Sequence, residues 1–76
     1  MSEYHVAIRM SRKLTDDEIE LLSGALSSPV TELSMDGEDI VMMTLHSEDS
    51  RTAPHEAAHI AETATGVEAN STQLLP

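Results

Sequence analysis

Tyr4, Val6, Ile8 and Met10 alternate with His5, Ala7, Arg9 and Ser11. This period of two predicts a strand from Glu3 to Arg9 or Met10 with one buried face. The period then lengthens: Ile19, Leu22 and Leu26 recur at spacings of three and four, with Ala25 beside them, which predicts an amphipathic helix. Its start is written in Thr15-Asp16-Asp17-Glu18. Thr15 can cap an orphan backbone N–H and Glu18 can reach back to complete a capping box, while Leu14 can staple against Ile19. Asp16 and Asp17 place negative charge where the helix dipole is positive. Ser27-Ser28-Pro29 is expected to end the helix, because proline has no N–H and disfavours helix before it.

Val30 to Met35 and Glu38 to His46 read as two strands around Asp36-Gly37, a dipeptide that favours hairpin turns. The second runs Ile40-Val41-Met42-Met43-Thr44-Leu45, apolar on both faces, as a central strand should be. A two-residue loop and a three-residue loop with a bulge give opposite faces. The longer set, Val41, Met43 and Leu45, is expected inward. After the polar stretch from His46 to Thr52, a second helix is expected with Pro54 in its first turn and Thr52 or Ala53 as its cap. Ala57, Ile60, Ala61 and Ala64 form its apolar stripe and Gly66 stops it. Val67 to Leu75 supplies a short fourth strand with Leu74 inward, or else a partly ordered tail over about 67–76.

The order strand, helix, strand, strand, helix, strand fits one α+β domain over residues 1–76. Two βαβ-like halves, with both helices on one face of an antiparallel sheet, resemble the ferredoxin-like two-layer sandwich. That resemblance implies central first and third strands. Tyr4-His5-Val6-Ala7-Ile8 and Leu14-Thr15-Asp16-Asp17-Glu18 also resemble the openings of small uncharacterised proteins from actinobacteria and their phages. No activity comes with that likeness.

Composition narrows the function classes. The 76 residues hold 14 Asp plus Glu against 4 Lys plus Arg, a formal charge of −10 at pH 7. Such a charge opposes the phosphate neutralisation that nucleic-acid binding needs. No apolar run approaches the roughly 18 residues that span a bilayer, and the N-terminus lacks a secretory pattern. There is no Cys, which excludes a disulfide framework, a zinc ribbon and a thiol nucleophile. The expected location is the cytoplasm, with neither nucleic acid nor membrane as partner and no cofactor. Tyr4 is the one aromatic residue, and five Met supply adaptable filling. A domain of this length buries only about 60–65% of its unfolded surface, so association with a copy or partner would add stability.

His55-Glu56-Ala57-Ala58-His59 satisfies H-E-x-x-H, in which two His one helical turn apart hold zinc and the Glu activates water. Glu62 continues that face and is the third candidate ligand. The apolar stripe of the same helix lies almost opposite, however, so these His are expected to face solvent. A hydrolase also needs an open coordination position and a walled cleft, which so short a chain has little material to build. The expected count of metal and catalytic sites is therefore none. His5 and His46 could form a pH-sensitive or metal-bridging pair on the sheet; ordinary polar residues on a partly solvated sheet are the simpler reading. No G-x-S-x-G elbow and no Gly-rich phosphate loop is present. RNA-recognition modules of this fold stack bases on sheet aromatics, which are missing here. A small-molecule regulatory module of the ACT type stays open.

Two surfaces remain. The sheet face away from the helices is expected to expose Ile40 and Met42 beside Thr44, Ala7 and Arg9, and exposed apolar residues on a sheet mark association. Asp16, Asp17 and Glu20, with Glu38 and Asp39 at the hairpin, form an acidic surface, while Arg9, Arg12 and Lys13 gather at one strand end. The expectation is a non-enzymatic protein–protein interaction module, a homodimer that also binds protein. One alternative is an acidic, phage-type DNA mimic that blocks a basic, nucleic-acid-binding host protein. The other is a zinc hydrolase using His55, Glu56 and His59.

Overall fold

In the computed structural model residues 2–76 are described. They form β1 (Ser2–Met10), α1 (Asp16–Ser23), β2 (Val30–Met35), β3 (Ile40–Ser47), α2 (Thr52–Thr65) and β4 (Ala69–Leu75). The strands make one antiparallel sheet in the order β2-β3-β1-β4. With both helices on one face, this is the ferredoxin-like two-layer sandwich. Among the described residues no helix is long and apolar enough to cross a membrane.

Strand alternation builds the core. Val6, Ile8 and Met10 of β1 and Val41, Met43 and Leu45 of β3 are all buried beneath the helices. Tyr4 is half-buried at the margin of that cluster. The hairpin reaches this register through a three-residue loop. Asp36 N–H donates to the Ile40 carbonyl (2.9 Å), and Gly37 takes φ +84, which suits glycine. β3 therefore starts at Ile40, two residues later than expected. An irregularity between Val30 and Glu32 marks the outer end of β2.

Thr15 and Glu18 make both halves of the capping box, and Leu14 and Leu22 are buried. α1 stops sooner than the sequence suggests, at Ser23. Ser23 Oγ donates to the Glu20 carbonyl, and the N–H groups of Gly24, Ala25 and Leu26 each donate to the carbonyl three residues back. This tightening to about three residues per turn rotates Leu26 off the stripe. Leu26 is 51% exposed, so its expected place in the core is wrong.

α2 is the central packing helix: it touches β1, β3 and β4 as well as α1. Ala53, Ala57 and Ala61 are fully buried at four-residue spacing, with Ile60 and Ala64 half-buried beside them. Its start departs from expectation. Asp49 accepts backbone hydrogen bonds from Arg51 (2.9 Å) and Thr52 (2.8 Å), so a carboxylate ahead of the helix serves the role expected of Thr52 or Ala53. Those bonds, Thr52's first, hold Asp49 below its ordinary carboxylate range. Gly66, at φ +75, ends α2. The last segment is a full strand, with Leu74 opposite Val6 on the helix side yet 38% exposed.

Candidate functional site: the open face of the sheet

Among the described residues one face of the sheet carries no helix, and strand register aligns its side chains in rows. Ser34, Met42, Ala7 and Gln73 form the central row. Glu32, Thr44, His5 and Leu75 lie on one side of it, and Ile40, Arg9 and Ser71 on the other. Glu3 and His46 extend the face beyond His5 and Thr44. All five expected contact residues thus share this face: Ala7 is paired with Met42, Arg9 with Ile40, and Thr44 with His5.

The face is less exposed than the sequence suggests. Ala7, Ile40 and Met42 are half-buried by one another and by their flanking neighbours, while Arg9 is exposed. Thr44 needs correction as a contact residue. It is 7% exposed, and its hydroxyl shares a 2.9 Å hydrogen bond with His5 Nδ1. Its carbonyl accepts from Thr31 Oγ1 (3.3 Å), so its polar groups serve the sheet itself. Leu75, half-buried opposite His5, joins the apolar band instead. Sequence reading missed it because the alternation within Gln73-Leu74-Leu75 is ambiguous without the β1 pairing.

Two shallow depressions divide this face. The larger, about 540 Å³, is lined by Ala7, Arg9, Ile40, Ser71 and Gln73. The smaller, about 260 Å³, lies between His5, Glu32, Ser34, Met42 and Leu75. His5 and His46 have separate partners. His5 is bonded to Thr44, and His46 Nε2 stands 3.9 Å from Glu3 Oε2, an ion pair when the imidazole is protonated.

The H-E-x-x-H residues sit elsewhere, on α2. His55 and His59 are exposed, as their position opposite the alanine stripe requires. Glu56 Oε1 accepts a hydrogen bond from buried Ser47 Oγ (3.3 Å). Glu62 Oε2 accepts from the Ala69 N–H (2.9 Å), tying the helix end to the start of β4. Both carboxylates therefore have structural partners. Among the described residues no three His, Cys, Asp or Glu side chains are arranged to hold a metal ion.

The acidic surface expected from the sequence, Asp16, Asp17, Glu20, Glu38 and Asp39, lies outside the open face. Asp16, Asp17, Glu20 and Glu38 are exposed, and Asp39 is half-buried, its carbonyl accepting from Met10 N–H (2.7 Å). The Leu14 N–H donates to the Glu38 carbonyl, so the basic segment Arg12-Lys13 runs beside the acidic hairpin. Positive and negative groups therefore share that end of the molecule. Comparison with protein-family models, with curated proteins and with solved structures finds no match for this chain.

Proposed function

We propose that the protein is a non-enzymatic interaction module that works as a homodimer and takes a protein partner on its open sheet face. The observation that carries this reading is the apolar band of Ala7, Ile40, Met42 and Leu75 on a sheet that helices cover on one side only. The polar groups around the band suit a partner's backbone: Arg9 and Gln73 can donate, and Glu32 can accept. A domain this short gains stability when a second layer covers such a face.

Capture of a partner from the cells that express the protein tests the reading, with wild type and Met42→Asp compared at high salt. A partner held by wild type and lost with Met42→Asp supports it. Unchanged mass in solution and unchanged partner binding in Met42→Asp would overturn it. A partner held only at low salt, and indifferent to Met42→Asp, would belong to the acidic surface of Asp16, Asp17 and Glu20.

A further inference from the structure

β4 is an edge strand: β1 pairs with one side of it, and no described residue pairs with the other. Such an edge leaves alternate N–H and C=O groups without partners, and proteins commonly guard it with charge, proline, a bulge or short length. β2, at the opposite edge, is guarded. Exposed Glu32 lies within it, and its pairing slips between Val30 and Glu32. β4 has little of this. Its irregularity lies at its start, opposite Arg9 and Met10, and Ser71 to Leu75 pair regularly with β1. Among the six elements β4 alone has no acid, base or histidine. It also carries Leu74, one of the exposed large apolar side chains.

Charge selects the occupant of that edge. Two copies at −10 each repel, and the repulsion is least where the surfaces brought together carry no acid. We propose that two copies associate through β4, antiparallel about a two-fold axis at Thr72, into one continuous sheet with four strands from each copy. This rests on the reading of the protein as a homodimer and adds which surface makes it. Thr72 is the middle residue of the strand, so it meets its own copy, while Ser71 meets Gln73 of the partner subunit. A two-fold axis between antiparallel strands stands normal to the sheet. The helices of both copies therefore lie on one side, and the two open faces merge into a single platform on the other. Edge-to-edge hydrogen bonds fill the unpaired backbone groups, and Leu74 gains cover.

Sedimentation equilibrium of the full chain across protein and salt concentration tests the proposal. Wild type and Thr72→Val are expected to dimerise, more tightly as salt screens the like charges. Thr72→Asp and Thr72→Lys, tested singly, should each weaken the dimer by about fivefold, since like charges then face each other across the axis. An equal mixture of the two should restore it. Thr72 is exposed, so each variant is expected to fold, and far-UV circular dichroism verifies this. A chain that stays monomeric at every concentration, or a dimer indifferent to both charges, would overturn the proposal. So would protection of the Asn70 to Leu75 amides from hydrogen exchange only when another protein is added. A dimer lost with Met42→Asp but not with the Thr72 variants would place association on the open face, which sinks edge pairing and leaves the interaction reading standing.

Discussion

Glu18 is held by two neighbours at once. Its Oε1 accepts from the Thr15 N–H (2.8 Å) and from Arg12 Nη1 (2.8 Å), and its Oε2 accepts from Arg12 Nη2 (2.6 Å). The guanidinium, then the backbone bond, lower its pKa to about 2 from an ordinary 4.5. A carboxyl whose folded pKa is depressed contributes stability that is complete above its unfolded pKa and lost as pH falls through the folded value. The window is therefore from about pH 4.5 down to about 2. Glu18→Gln should flatten the fall of the thermal midpoint across that window, leaving the slope due to Asp49, whose pKa is lowered too. Because the pair lies at the surface, salt should shrink the difference between the two proteins. Two glycines make a sharper contrast. Gly66 has φ +75 with open space where a Cβ would stand, so Gly66→Ala costs backbone strain alone, about 1 kcal/mol. Gly24 is right-handed (φ −70), so Gly24→Ala should stabilise by about 0.4–1 kcal/mol through the unfolded chain. Paired thermal melts should therefore move in opposite directions, and a loss of midpoint in both would contradict this account.

At the scale of elements, α2 sets how closely the two layers approach. Ala53, Ala57 and Ala61 are fully buried against the sheet, so no space is left for a longer side chain. Ala57→Leu should destabilise by about 1–3 kcal/mol through overpacking, although leucine is apolar and a good helix former. Urea unfolding would measure it, and an unchanged or raised midpoint would mean that the layers can separate. The alanine stripe, the alternation of β1 and the capping box are legible in the sequence because each is a periodicity or a fixed offset along the chain. Features set by other kinds of interaction are not. Leu26 leaves the core because three successive i−3 bonds rotate the chain after Ser23. Asp49 caps α2 from outside the helical pattern, where Thr52 looks the better residue by type. The open face divides in the same way. Alternation alone places Ala7, Arg9, Ile40 and Met42 on one side of their strands, whereas the rows that add Leu75 and bury Thr44 depend on pairing between distant strands.

The described residues form a two-layer sandwich in which none of them makes a layer over the second sheet face, and neighbouring methionines report on that asymmetry. Met42 and Met43 are adjacent in the chain and identical in chemistry, yet they point to opposite sides of β3. Met43 is 2% exposed within the core beneath the helices, and Met42 is half-buried on the open face opposite Ala7. A carboxylate at position 43 would lie among Val6, Ile8 and Leu45 with no partner, at a cost above about 4 kcal/mol. That is the order of the entire margin of a domain this short. A carboxylate at position 42 can turn toward water, and the loss should stay near 1 kcal/mol. Met43→Asp is thus expected to be unfolded at room temperature, and Met42→Asp to melt cooperatively a few degrees below wild type. Circular dichroism of the two variants at low protein concentration, where association does not add to stability, makes the comparison. Equal destabilisation would mean that the face is covered in the isolated chain. The predicted inequality would leave Met42→Asp a folded protein, and any partner that it fails to bind would then be lost for want of the surface and not for want of the fold.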